Sequence, residues 1–327
     1  MIAFLLALVL LCGALAAFTL VSTRRIEARY PPSGALVHVG DGRVHVLDRP
    51  AQGKERGAVL LIHGASGNAA DMSAALAGPL AEAGFRTLSV DRPGHGWSER
   101  ASGGLGSWPA EQAQAIRRAA EALGVSKAIV VAHSLGAIPA LALALDHVDF
   151  VRALVLIAPV SHPWPGGVAW YYTLGANRLL GPPFRRLVAL PAGMALMRAA
   201  VASVFTPNVP PADFIAETRL PLVLRPMHFR ANCEDVAQAK AAVIALAPRY
   251  PDIRAPTAIV TGDADSVVSP AIHSQGSARD IEGATLTVLK GVGHSPHHAA
   301  PERVVAVILE AARRADARET TQAAGAV

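Results

Sequence analysis

The hydrophobic pattern of this chain opens on a continuous stretch. Ile2 to Val21 is twenty residues without a charge, followed by Ser22-Thr23-Arg24-Arg25 and then Pro31-Pro32. From Leu36 to Val39 and from Arg43 to Leu47 the residues alternate in type around Gly40-Asp41-Gly42. Period-two alternation about a glycine turn predicts a β-hairpin. The texture then changes: Ala58–Ile62 is a continuous apolar run, and Phe85–Val90, Ala128–His133, Ala153–Ile157, Thr257–Thr261 and Ala284–Leu289 read as further strands. A continuous apolar run suits a strand covered on both faces. The stretches about Asp71–Ala83, Pro109–Leu123, Leu135–Leu145 and Pro301–Ala315 read as helices, with Pro109 in a first turn and Gly84 and Gly124 as C-caps.

Strand and helix alternating after a hairpin predict an α/β architecture, a mostly parallel central sheet flanked by helices. The rhythm breaks between about Ser161 and Arg254, where many prolines separate helical pieces. An interval of this length is too long for a loop in a compact domain, and it reads as an inserted helical lid. The expected organisation is therefore an N-terminal segment at 1–30, a sheet domain at 31–160 and 255–316, the lid at 161–254 and a disordered tail at 317–327.

Composition narrows the classes of function. The formal charge of +5 comes largely from scattered arginines without a basic stripe interleaved with aromatics, which argues against nucleic-acid binding. Cys12 and Cys233 are the two cysteines; Cys12 lies in the apolar segment, so a disulfide between them is not expected, and neither builds a metal site. Twenty apolar residues are enough to span a hydrocarbon layer of roughly 30 Å. No Lys or Arg precedes the run, as a cleaved signal peptide would usually have. We read it as a membrane anchor, with the small residues of Ala14-Leu15-Ala16 leaving cleavage open. The arginines after the run place that side in the cytoplasm by the positive-inside rule, with a periplasmic or secreted domain as the alternative.

The chemistry concentrates at strand ends. In Ala132-His133-Ser134-Leu135-Gly136 an apolar strand stops at a serine and a helix-forming stretch follows at once, with small residues two before and two after. This suits a tight strand-to-helix turn that presents a hydroxyl above the sheet. A serine needs a base, and the base an orienting acid. After one late strand comes Gly262-Asp263-Ala264-Asp265-Ser266-Val267-Val268-Ser269-Pro270, and after the last Gly291-Val292-Gly293-His294-Ser295. Parallel sheets place their active sites at this edge.

With serine, acid and histidine in that order, the chain resembles the α/β-hydrolase fold superfamily over roughly residues 35 to 315. Its elbow pattern is G-x-S-x-G, with Ala132 here in place of the first glycine. The family's G-x-x-D-x-x-V-x-P pattern runs from Gly262 to Pro270 and selects Asp265, with Asp263 as competitor. The resemblance implies a triad of Ser134, Asp265 and His294. It also implies an oxyanion hole from the backbone N–H groups of Ala65 and Leu135, because His63-Gly64-Ala65 resembles the family's oxyanion loop, in which His63 is structural. Asp91-Arg92-Pro93-Gly94-His95-Gly96-Trp97-Ser98 resembles a loop that shapes the floor of the site. Ser66 and Asn68 either line the pocket or serve the loop. His133 reads as a packed or substrate-facing neighbour.

A metal cluster of His294, His297 and His298 is disfavoured because no carboxylate or thiolate accompanies them at ligand spacing, so His297 and His298 read as solvated residues at a helix start. The expected function is a cofactor-free serine hydrolase that cleaves an ester-type acyl bond. The apolar lid, with Trp164, Trp170, Tyr171, Tyr172, Leu179, Leu180, Phe184 and Met194, points to a lipophilic small molecule. The alternatives are a non-catalytic ligand-binding member of the fold and a perhydrolase-like enzyme. The sequence does not address oligomeric state.

Overall fold

A computed structural model describes residues 1–100 and 108–325 of the chain. Eight strands form one sheet: β1 (Ala35–Val39), β2 (Gly42–Arg49), β3 (Ala58–Ile62), β4 (Arg86–Val90), β5 (Ala128–His133), β6 (Val151–Ile157), β7 (Thr257–Gly262) and β8 (Thr285–Leu289). Their order is β1-β2-β4-β3-β5-β6-β7-β8. The opening hairpin is antiparallel and joins β4 antiparallel, while every pairing from β4 to β8 is parallel. This is the mostly parallel α/β architecture that the strand rhythm predicts.

The unbroken apolar runs follow from a core on each face. Along β5, Val130 and Ala132 join one buried cluster with Leu60, Leu88 and Leu154, while Ile129 and Val131 join the other with Leu61, Val155 and Ile308. The helices Pro109–Ala122 and Ala137–Asp146 cover the first face, and the closing helix, Pro301–Gly325, covers the second. A strand with no solvated face has no polar alternation to show. The helix after β3 starts at Ala69, where the Asn68 side chain accepts from Ala70 N at 2.9 Å. A π-turn at Ser73–Ala77 interrupts it before it resumes at Gly78–Glu82. Between β6 and β7 lies the helical insertion, whose longest pieces are Leu190–Phe205 and Pro226–Leu246.

Two boundaries differ from the sequence reading. The closing helix continues to Gly325, past the expected start of a disordered tail at 317; residues 326 and 327 lie outside the described residues. Its extra turns bring Asp316 and Glu319 to Arg152 at 2.6 and 3.0 Å, so the polar composition that suggested fraying instead ties the helix to β6. The short helix Ser274–Asp280, between β7 and β8, was not anticipated. At the other end, the helix Ile2–Arg29 is long and apolar enough to cross a membrane. Both cysteines are free.

Candidate active site

The sharp turn at Ser134 is the strained point around which the site is built. Strand β5 ends at His133, Ser134 takes a left-handed φ of 52°, and a single 3-10 turn leads into the helix Ala137–Asp146. A non-glycine residue in that region costs free energy and persists only where the surroundings impose it. Here the neighbouring loop imposes it. A side-chain carbon on Gly136 would lie 2.4 Å from the His63 carbonyl oxygen, and one on Gly64 would lie 3.0 Å from Ser134 Cβ. The turn after β5 and the loop after β3 are therefore in backbone contact, which only glycine permits.

Ser134, Asp265 and His294 come together at the C-terminal edge of the sheet. His294 Nε2 lies 2.9 Å from Ser134 Oγ, and its Nδ1 lies 2.8 Å from Asp265 Oδ2. The other Asp265 oxygen accepts from Val267 N and Val268 N, both at 2.9 Å. A carboxylate so engaged is fixed in rotation and acts only as an acceptor, so Nδ1 of the imidazole donates and Nε2 faces the hydroxyl. All three residues are buried. Asp263 lies elsewhere: its carboxylate accepts from Gly291 N at 2.7 Å and shapes the turn before His294.

The loop after β3 is held from behind. Arg92 N donates to His63 Nε2 at 3.0 Å, while His63 Nδ1 lies 2.8 Å from the Gly64 carbonyl. Burial, reinforced by the nearby Arg92 cation, lowers the His63 imidazole to about 4, so it is neutral and accepts from Arg92 N. Asp91 completes the floor, accepting from Ala69 N at 2.6 Å and Trp97 N at 2.8 Å. Ser66 and Asn68 serve the loop. Ser66 N donates to Asn232 Oδ1 at 2.7 Å, and Asn68 Nδ2 donates to the Thr218 carbonyl at 2.8 Å. Ala65 sits in this loop and Leu135 directly after Ser134, so their amides belong to the two segments that flank the serine.

His297 and His298 depart from expectation, because His297 is buried, the side chain of His298 is largely covered, and a carboxylate does accompany them. Asp71, from the helix after β3, lies 2.8 Å from His298 Nε2 and 3.7 Å from His297 Nε2. Chain topology supplies this acid from more than two hundred positions away, out of reach of any spacing rule. Burial works to raise the Asp71 carboxyl, yet the two imidazoles draw it well below the usual range. Asp71, His133 and His297 offer donor atoms within 4.8 Å of one another, the arrangement among the described residues best suited to a cation. His133 is packed rather than facing substrate: its Nε2 lies 2.9 Å from the His294 carbonyl.

Several site residues carried no sequence signal because the insertion delivers them. Asp235, on the helix Pro226–Leu246, meets Arg92 at 2.5 Å and Arg100 at 2.6 Å. The same Arg92 donates to the His63 carbonyl at 3.1 Å, so the insertion is ion-paired to the residue that holds the loop. Asn208 accepts from Gly293 N at 2.8 Å and donates to the Gly291 carbonyl at 3.0 Å, bracing the turn that carries His294.

Together the sheet order, the strained serine turn and the helical insertion define a protein of the α/β-hydrolase class. The chain belongs to the alpha/beta hydrolase family, whose model matches residues 59–307. It is similar to the magnesium-chelatase 30 kDa subunit of Rhodobacter capsulatus, 28% identical over 88% of this chain and 98% of that one. Its fold is similar to that of the enol-lactonase from Burkholderia xenovorans, at a TM-score of 0.66 and 21% identity, covering 85% of this chain and 99% of that one. A thermophilic esterase from Thermogutta terrifontis has the same TM-score of 0.66 and 21% identity, over 85% and 96% of the two chains.

Proposed function

We propose that the protein is a serine hydrolase that cleaves an ester-type acyl bond of a lipophilic small molecule. The observation that carries this reading is His294, bridging Ser134 Oγ at 2.9 Å and Asp265 Oδ2 at 2.8 Å. His294 Nε2 takes the hydroxyl proton as Ser134 Oγ attacks the acyl carbon. The Asp265 carboxylate stabilises the imidazolium without taking a proton itself. The amides of Ala65 and Leu135 receive the oxyanion, each such donor being worth on the order of 3 kcal/mol in the transition state. The alkoxide leaves with the proton from His294. Water, deprotonated by the same nitrogen, then releases the acid and restores Ser134. These steps need no cofactor.

The helix Ile2–Arg29 is the membrane anchor in this reading. Its 28 residues rise about 42 Å at 1.5 Å each, and Arg24, Arg25 and Arg29 follow the apolar run, which favours a cytoplasmic hydrolase domain. The insertion acts as the lid. A second reading, a non-catalytic subunit, is prompted by the likeness to the magnesium-chelatase subunit.

Fluorophosphonate labelling of the full chain in detergent, with p-nitrophenyl esters of increasing acyl length, separates the two. The hydrolase reading expects labelling and turnover, both abolished by Ser134→Ala. A folded protein that takes no label and turns over no ester overturns it in favour of the subunit.

A further inference from the structure

We propose that the outer face of the helical run Gly181–Phe205 docks on the anionic lipid surface that the N-terminal helix enters, so that the catalytic edge opens beside the bilayer. The proposal rests on the reading of Ile2–Arg29 as an anchor, and geometry then extends it to the insertion. The helix packs against Arg185–Ala189, Leu190–Phe205 and Leu220–Leu224. Only Met1 to Leu11 are exposed without interruption, whereas Thr19 is 3% exposed and lies inside the uncharged stretch Ile2–Val21. Eleven residues rise about 16 Å, roughly half of a hydrocarbon layer of about 30 Å. For the uncharged stretch to fill the layer, the insertion segments that cover its second half must sit at the lipid interface.

The exposed chemistry of the insertion matches that depth. Leu179 and Leu180, just before the run, are 85% and 61% exposed, and Leu196 within it is 61% exposed; the run Gly181–Phe205 is itself long and apolar enough to cross a membrane. A soluble helix buries such residues, whereas an interfacial one keeps them for lipid. Charge agrees with this. No Asp or Glu occurs between Ser161 and Ala212, while Arg178, Arg185, Arg186 and Arg198 do, the bias that draws a helix to anionic headgroups. At its inner end the run reaches the chemistry. Phe205 is buried, and a side-chain carbon on Gly293, next to His294, would lie 2.3 Å from the Thr206 carbonyl oxygen. Whatever seats this helix on lipid therefore also bears on the turn that carries the base.

The test uses the full chain in phosphatidylcholine–phosphatidylglycerol vesicles with brominated acyl chains, which quench tryptophan at membrane depth. Leu196→Trp places a probe on the proposed face. Lys54→Trp places one at the opposite edge of the sheet, before β3. Flotation with the vesicles reports the anchor separately. The expected result is flotation of both variants, with bromolipid quenching of the Leu196→Trp signal at least about twofold that of Lys54→Trp. That excess should shrink when phosphatidylglycerol is left out. Flotation with equal quenching at the two positions overturns the docking and leaves the anchor standing. Failure to float overturns both. Concentration-dependent cross-linking through Leu196→Cys, with no excess quenching, would assign the face to a second copy of the chain instead.

Discussion

The serine-bearing edge of the sheet and the outer face of the insertion obey opposite constraints. At the edge, backbone meets backbone. A side-chain carbon on Gly262 would stand 1.9 Å from the Val292 carbonyl oxygen and one on Gly136 2.4 Å from that of His63. On the insertion, Leu179 and Leu196 are largely exposed. Steric necessity fixes residue identity in the first region, and under the docking proposal the surrounding medium selects it in the second. Substitution at the edge should therefore act on turnover and stability whatever the solvent, and substitution on the outer face only where lipid is present.

The sharpest way to break that contrast is at the acid, where two carboxylates stand two positions apart. In the proposed mechanism Asp265 orients His294, which it meets at 2.8 Å, whereas Asp263 accepts from Gly291 N at 2.7 Å. Replacing the orienting acid by its amide admits the wrong imidazole tautomer, and the expected loss in kcat for Asp265→Asn is on the order of a thousandfold or more. Asp263→Asn keeps an acceptor oxygen for Gly291 N and should stay within about threefold of the parent, since a lost turn contact costs of order 1 kcal/mol at most. Ester turnover by the two purified variants decides the matter, and comparable losses at both positions would refute the assignment.

The same contrast explains which parts were legible in the sequence. Strands β3, β5 and β6 are buried on both faces, so their unbroken apolar runs announce them. Ser134, Asp265 and His294 stand just past strand ends in short patterns, because the turns that present them tolerate few residue types. Asp71, Asn232 and Asp235 had no such context. They reach the site by tertiary packing from helices whose own periodicity gives no hint of a partner. The two histidines after Pro296 were read as solvated for the same reason, since the acid that accompanies them lies on the far side of the sequence. The closing helix outlasted its apolar pattern because Arg152 pairs with its polar end.

Where the two regions meet, the Arg92–Asp235 pair tests whether the insertion is a separable cover. Both side chains are nearly inaccessible, and Arg100 shares the carboxylate. Removing Asp235 leaves a buried guanidinium uncompensated, so Asp235→Ala should cost about 3–5 kcal/mol in urea unfolding. The double variant Arg92→Met with Asp235→Leu should regain most of that stability, as apolar replacements of buried pairs often do. It should not regain kcat, because Arg92 also donates to the His63 and Gly64 carbonyls of the loop after β3, which the proposed mechanism uses for the oxyanion. Full recovery of both quantities would show the seam to be packing alone.

Acid provides the mildest way to separate the two regions. The outer face of the insertion carries arginines, whose charge does not change between pH 4 and 8. The serine-bearing edge carries buried neutral histidines. Burial and the Arg92 cation lower His63 to about 4, and burial lowers His133 and His297 as well. The unfolded chain takes up a proton on such an imidazole near its ordinary value of about 6.5, the folded chain only near 4, so between those values unfolding binds protons. The contribution is whole above about pH 6.5 and is lost as the pH falls toward 4, amounting to roughly 3 kcal/mol for His63 alone. Unfolding free energies from urea melts at pH 7 and pH 4.5 should therefore differ by roughly 2–3 kcal/mol from this group. His63→Asn, less stable at pH 7 through loss of its bond from Arg92 N, should show a smaller difference between the two pH values. An unchanged difference would place the acid sensitivity in the other histidines and remove His63 as its source.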